Sequence, residues 1–195
     1  MITGHFGIAG MARSLSRAKT SSGLLVAFAL ASIAPDVVDI AYFVLGICSP
    51  YGLYSHTLHA VVLQAAIIAG AGYLATGSPG TAFGLGLVVL LHLPADLITG
   101  HKLLAPGGEM VGLYVYERPF LDYLVEVPIA MLGWWAMRRR ATAPRWAMSI
   151  WMLALVVGIQ TAFDGTSAVT RKGVKPSACF PRSAMRTLPR LAARP

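Results

Sequence analysis

The chain has 195 residues, of which 56% are hydrophobic and only 12% charged, and its formal net charge is +8. This composition is typical of an integral membrane protein. The length leaves room for one helical bundle but no second domain, and two cysteines are too few for a disulfide framework or a thiolate metal site.

Long apolar runs dominate the sequence. They occupy residues 22–47, 57–76, 81–99, 119–137 and 146–163. Runs of about 17–25 apolar residues can cross a bilayer as helices, and strand-like alternation is missing between the turn signals. The pattern therefore predicts an all-α integral membrane bundle with four to five transmembrane helices.

A shorter apolar segment, Ile2 to Met11, precedes these runs and carries His5. We expect it to pack as a helix antiparallel to the first run, which would bring His5 level with Asp36. The alternative is that residues 1–34 form a signal peptide. The long segment before the apolar core and the position of Pro35 argue against that interpretation.

The basic residues predict the orientation of the bundle. Under the positive-inside rule, Arg13, Arg17, Lys19 and the cluster Arg138–Arg140 all lie in the cytoplasm if the first four runs cross the membrane. The ionisable residues of these runs then fall at one end of the bundle: Asp36, Asp39, His56, His59, His92, Asp96, His101, Asp122 and Glu126. Taken singly, several have ordinary alternatives, such as a helix kink or helix capping for Asp36 after Pro35 or solvation for Asp122, but together they predict a shared site.

The sharpest motif in the chain lies at the end of the third run. A period of 3.6 residues places His92 and Asp96 on one face of a helix, and Gly100 offers a helix stop from which His101 could fold back toward them. Imidazole and carboxylate together favour a first-row transition metal over Mg²⁺ or Ca²⁺. We therefore expect a divalent metal here, with Zn²⁺ the leading candidate.

The positive charge does not indicate nucleic-acid binding. Seven of the 16 lysines and arginines lie in the last 25 positions, where Phe180 is the single aromatic residue. We divide the chain into a membrane-embedded domain at 1–165 and a basic, disordered tail at 166–195, and expect no nucleic-acid partner.

The order of several short motifs is similar to that of a known family. These motifs are Gly4-His5, Ala34-Pro35-Asp36, Tyr54-Ser55-His56-Thr57-Leu58, His92-x-x-x-Asp96, His101, Pro106-Gly107-Gly108, Val111-Gly112-Leu113 and Glu126. Over about residues 1–137 the chain resembles the YdjM-type family of membrane-embedded metal-dependent hydrolases. That family is distantly similar to zinc-dependent phospholipase C and the single-strand-specific zinc nucleases.

The resemblance implies a metal shell, a reaction and a location. The implied shell consists of His5, Asp36, His56, His92, Asp96, His101 and Glu126, with Asp39 and His59 as second choices. It would hold one to three ions, and Asp36 or Glu126 would be the catalytic carboxylate that bridges metals or accepts a proton from water. The implied activity is hydrolysis of a phosphoester or other ester, including one in a lipid head group, by a multi-pass protein of the inner (plasma) membrane that has membrane lipids as partners.

Two other functions fit the same residues. A transporter or channel for protons or divalent cations would also place histidines and carboxylates inside the bundle, but it should show polar residues along its whole depth. A scaffold could use the cluster only to hold helices together. The apolar character of the runs away from the site end favours the hydrolase over the transporter, and the scaffold is distinguished by predicting no bound metal after purification.

Overall fold

The computed structural model describes residues 3–16, 21–47, 53–106 and 108–170, and it confirms a mostly helical fold. The helices are α1 (Thr3–Leu15), α2 (Ser22–Ser32), α3 (Ala34–Val44), α4 (Leu58–Thr76), α5 (Pro79–Thr99), α6 (Pro119–Arg140) and α7 (Ile150–Thr170). A 3₁₀ turn at Val115–Glu117 leads into α6. Helices α4, α5 and α6 are long and apolar enough to cross a membrane.

The second, third and fourth predicted runs coincide with α4, α5 and α6 to within a few residues. The fifth run corresponds to α7, whose apolar part at Ile150–Thr166 is shorter than these three. Helix α7 continues across the predicted domain boundary at residue 165. The predicted tail beyond residue 170 lies outside the described residues.

The first predicted run is a bent pair of helices. Helices α2 and α3 meet at 67° around Ile33, so they count as a fourth span only if taken together. Pro35 has no N–H to donate to the preceding turn, and Ile33 departs from helical geometry, with φ −112° and ψ 13°. The break leaves the backbone carbonyl of Ser32 available to a partner from another helix.

Helix α1 packs against α2, α5 and α6, and its closest approach is to α6. Glycines make that approach possible. A Cβ atom added to Gly7 would strike the carbonyl of Ile129, and one added to Gly133 would strike the carbonyl of Gly7. One added to Gly10 would lie 2.9 Å from the carbonyl oxygen of Gly133. Backbone-to-backbone contact of this kind is typical of helix pairs in membranes.

A short antiparallel hairpin follows α5, although no hairpin is predicted from the sequence. Its strands are β1 (Lys102–Leu103) and β2 (Met110–Val111), with Lys102 opposite Val111. Strands of two residues are too short to produce a periodic pattern. The hairpin is tied to the helices by backbone hydrogen bonds from Leu58 to Leu104 (3.1 Å) and from Leu113 to Leu97 (2.8 Å).

Candidate metal centre

Four ionisable side chains from three parts of the chain converge where α3, α4 and α5 meet. Asp36 comes from the first turn of α3, His56 from the segment before α4, and His92 and Asp96 from successive turns of α5. Each offers one ligand atom, and these four atoms lie within 4.8 Å of one another. His56 and His92 are fully buried, Asp96 is almost so, and 42% of the Asp36 side chain is exposed.

The distances between these atoms suit a single small cation. His56 Nε2 lies 3.0 Å from His92 Nε2, 3.2 Å from Asp36 Oδ1 and 3.3 Å from Asp96 Oδ2. His92 Nε2 lies 3.4 Å from Asp96 Oδ2 and 3.7 Å from Asp36 Oδ1. Ligand bonds of about 2.0–2.1 Å in a tetrahedron give ligand separations of about 3.3–3.4 Å. These five separations surround that value, and all four atoms lie within 4.8 Å of one another, so the group could hold a metal ion of this size.

The break before α3 orients His92. Its Nδ1 lies 2.7 Å from the carbonyl oxygen of Ser32, the group released by the interruption at Pro35. A carbonyl only accepts hydrogen bonds, so Nδ1 carries the proton and the lone pair of Nε2 points into the cluster. Metal-binding histidines are commonly held in this way by a carbonyl or carboxylate behind the ring.

His56 is oriented by a second arrangement of the same kind. Its Nδ1 lies 2.6 Å from Ser55 Oγ and 3.2 Å from Asp39 Oδ2, while the Ser55 hydroxyl donates to Asp39 Oδ1. The acceptors behind the ring keep the proton on Nδ1, so Nε2 also faces the cluster. Two imidazole nitrogens that point at each other across 3.0 Å require a positive charge between them, either a proton or a cation.

In the metal-free protein, His56 supplies that charge as a proton. Burial alone lowers the pKa of His56, but hydrogen bonds to Asp36, Asp39 and Asp96 raise it from 6.5 to about 10. These bonds therefore stabilise the metal-free fold fully below about pH 6.5, and that contribution disappears as the pH rises through about 10.

Metal binding should show the opposite pH dependence because a cation must displace this proton. We expect the metal affinity to rise with pH between about 6.5 and 10 and about one proton to be released per ion from His56. Titration of the metal-free protein in buffers of different ionisation enthalpy measures the proton count. An affinity independent of pH over this range would contradict the assignment of His56 as a ligand.

Two further side chains contact the cluster from outside the group of four. The ring of His5, carried by α1, stacks on His92 with centroids 4.1 Å apart, and its Nε2 lies 3.6 Å from Asp96 Oδ1. The ammonium group of Lys102, at the start of β1, lies 3.0 Å from Asp96 Oδ2. Lys102 thus neutralises part of the carboxylate charge and borders the position that an ion would take.

The cluster borders a cavity of about 380 Å³. Asp36, Asp96 and Lys102 are its charged lining residues, and Ile33, Val37 and Ile40 of the bent helix pair are among its apolar ones. A molecule in this cavity would reach the carboxylates directly. The site is therefore accessible from the side on which Asp36 is exposed.

The structure does not bring His101 and Glu126 into the group of four. The backbone is extended at Gly100, so the chain leaves α5 instead of folding back, and His101 stacks on Tyr114 with centroids 4.4 Å apart. Burial lowers the pKa of His101, and the nearby Lys102 lowers it further against the influence of Glu117.

Glu126 has a structural partner at the start of α1. Its Oε2 accepts hydrogen bonds from the backbone N–H groups of Thr3 (2.9 Å) and Gly4 (3.1 Å) and from the Thr3 hydroxyl (3.1 Å). Free N–H groups at a helix start attract a carboxylate, which explains this position. His59, a second choice for the metal shell, is exposed in the first turn of α4.

Sequence reasoning missed three groups that shape the centre: Lys102, Ser55 and the carbonyl of Ser32. Lys102 could have been noticed, because it directly follows the His92–His101 motif. Ser55 acts through a hydrogen bond that depends on the turn before α4, and the Ser32 carbonyl acts through one that depends on the break at Pro35. The spacing of residues along the chain does not predict either contact.

Asp39 provides a test of the arrangement behind His56. We expect Asp39→Asn to weaken metal binding about 10–100-fold, the range found when a hydrogen-bond partner behind a ligand is lost. The fold should persist because the side chain of Asp39 is partly exposed. Competition with a metallochromic indicator measures the change, and Asp164→Asn, which alters a carboxylate on α7, is the control. Equal affinities of Asp39→Asn and the parent protein would show that Asp39 does not support His56.

No protein-family model matches the chain, and no curated protein or solved structure is significantly similar to it.

Proposed function

We propose that this chain is a membrane-embedded, metal-dependent hydrolase that cleaves a phosphoester or another ester. The observation that carries the proposal is the convergence of two oriented imidazoles and two carboxylates beside a cavity. The order of motifs shared with the YdjM-type hydrolases supports the same activity. The most suitable ion is Zn²⁺, because nitrogen and oxygen donors at tetrahedral separations match its preferences.

We assign different roles to the buried and exposed members of the cluster. Catalytic zinc sites usually keep three protein ligands and leave a position for water or substrate. His56, His92 and Asp96 are the three buried donors. Asp36 is more exposed and lines the cavity, so it suits the role of general base. Glu126, occupied at the start of α1, is the weaker candidate for that role.

The reaction would be an ordinary hydrolysis. A transition metal held by His56, His92 and Asp96 would supply Lewis-acid stabilisation of the ester and would lower the pKa of a bound water toward about 7. Asp36 accepts the proton from the attacking water, whose oxygen forms a bond to phosphorus or carbon. The bond to the alcohol oxygen breaks, and protonated Asp36 returns its proton to that oxygen, which leaves as the free alcohol. His56 and His92 hold their positions through Asp39 and the Ser32 carbonyl.

We further propose a multi-pass location in the plasma membrane. Three helices of sufficient length and the bent pair α2–α3 support it. Helix α7, whose apolar part at Ile150–Thr166 is shorter, would provide the fifth crossing. Exposed apolar side chains along α4, such as Leu63, Ile67 and Leu74, are explained by contact with lipid.

Asp36→Asn tests the division of roles. We expect the variant to keep its metal and its kcat to fall about 10²–10⁴-fold, which is the typical contribution of a general base. The measurement pairs metal content with turnover of a panel of phosphomonoesters, phosphodiesters and carboxylic esters. If Asp36→Asn instead loses the metal, Asp36 is a ligand. If no ester is turned over by the metal-loaded parent protein, the hydrolase proposal is wrong.

The same preparation distinguishes the transporter. Below the cluster, Val88 and Val89 are fully buried in the turn of α5 that precedes His92, and the adjoining core contains Phe28 and Val61. A path for ions would have to cross this apolar layer. We therefore expect no flux of protons or Zn²⁺ in proteoliposomes. Flux that is abolished by His92→Ala, without any hydrolysis, would favour transport.

A further inference from the structure

The lining of the cavity beside the cluster combines charged and apolar side chains. Lys102 is one of the charged groups, with its ammonium group 3.0 Å from Asp96 and its side chain partly exposed. Ile33, Val37 and Ile40 are among the apolar ones. A ligand that contacts both kinds of side chain needs an anionic group and an apolar part.

The apolar surface formed by the lining residues of α3 continues along that helix away from the cavity. Val37, Ile40 and Val44 stand at positions i, i+3 and i+7, which places them on one helix face. They are 46%, 61% and 76% exposed, so this strip becomes more accessible with distance from the cluster. A hydrocarbon chain that started in the cavity could follow the strip into surrounding lipid.

The charged lining residues make the binding of an anion depend on the metal. Asp36 and Asp96 would repel an anion in the metal-free protein, and Lys102 is then held by Asp96. A divalent ion among the ligands would neutralise the carboxylates and weaken the bond between Lys102 and Asp96. The ammonium group would then be free to turn toward an anion in the cavity.

We propose that the cavity binds a membrane amphiphile with an anionic, phosphate-like head group, which Lys102 contacts, and a hydrocarbon chain that lies along Val37, Ile40 and Val44. This inference rests on the proposed function, since it names the substrate class of the same metal site. Lys102 is thus the residue that selects for the charged head group, and α3 is the element that selects for the chain.

The test uses hexadecylphosphonate, which carries both features and has no ester to cleave. Zinc-loaded protein in phosphatidylcholine nanodiscs should bind it, measured against empty nanodiscs, while methylphosphonate and hexadecanol should compete poorly. Lys102→Met should keep the metal and bind the probe about tenfold more weakly, at the low end for the loss of a charge-assisted hydrogen bond. Lys102→Arg, which retains the positive charge, should restore most of the affinity.

A photoreactive group in the chain of the probe locates the hydrocarbon. Labelling within residues 37–44 should disappear when excess hexadecylphosphonate is added. Labelling near Ile67, which is 60% exposed on α4 and thus as accessible as Ile40, should persist as ordinary lipid contact.

The outcomes separate this inference from the proposed function. Metal-loaded protein that binds methylphosphonate as tightly as the long-chain probe, or Lys102→Met with unchanged affinity, would overturn the amphiphile while leaving the hydrolase standing. Labelling displaced equally from Ile67 and α3 would overturn the assigned chain path. Protein that takes up no metal would overturn the proposed function and this inference with it.

Discussion

Replacing His92 by Ala is expected to reduce metal affinity by more than about 100-fold, beyond the loss caused by removing a partner behind a ligand. The change deletes a fully buried donor and leaves the Ser32 carbonyl without its partner. Hydrolysis should fall with metal occupancy. Isothermal titration of the metal-stripped protein with Zn²⁺ measures the effect, and circular dichroism checks that the helices remain.

The matched control is His59→Ala, which removes an exposed histidine three residues from His56. It should bind metal as the parent protein does. Where His92→Ala folds poorly, His92→Gln preserves a polar side chain of similar length and should show the same loss of metal. Full metal affinity in both His92 variants would remove His92 from the ligand set.

A second large effect is expected at the contact between α1 and α6. Gly133→Ala places a methyl group against the carbonyl of Gly7, and neither backbone can yield without moving a helix. The free energy of unfolding should fall by about 2 kcal/mol or more, as for overpacked cores. Because α1 carries His5 onto His92, metal affinity should fall as well.

Gly158→Ala is the control for this substitution. Gly158 lies on α7 with open space around it, so the change should be neutral or stabilise by about 0.5–1 kcal/mol through helix propensity. Unfolding in mild detergent, followed by circular dichroism, compares the two variants. Equal stabilities would show that α1 and α6 are not in close backbone contact.

The positions of the long helices were predictable because long apolar runs indicate membrane-length helices directly. Helices α4, α5 and α6 lie close to their predicted bounds, and α5 begins at Pro79, two residues before the predicted start at residue 81. A helix kink after Pro35 was one interpretation of Asp36, but the run was predicted as a single crossing, because hydrophobicity continues through the break and only the backbone geometry changes. The hairpin at Lys102 was missed because its pairing depends on residues seven or more positions apart.

In the candidate site, too, some features could be predicted from the sequence and others could not. His92 and Asp96 could be paired from helical spacing, and Asp36 and His56 from the end of the bundle at which they lie; the structure brings all four together. His101 shares the motif but not the cluster, because the backbone is extended at Gly100 and the ring of His101 stacks on Tyr114 instead. Glu126 lies at the expected end of its helix, yet the start of α1 occupies it. Position along an axis was predictable, whereas the partner of each side chain was not.

The most direct measurement is the metal content of the purified parent protein. Elemental analysis by mass spectrometry, after purification in mild detergent without chelators and re-equilibration with Zn²⁺, should give at least one tightly bound transition-metal ion per chain. The same procedure on His92→Ala should give none, and on His59→Ala the parent value. Absence of bound metal from the parent protein, or equal amounts in the parent and His92→Ala, would contradict a metal centre formed by His56, His92 and Asp96 beside Asp36.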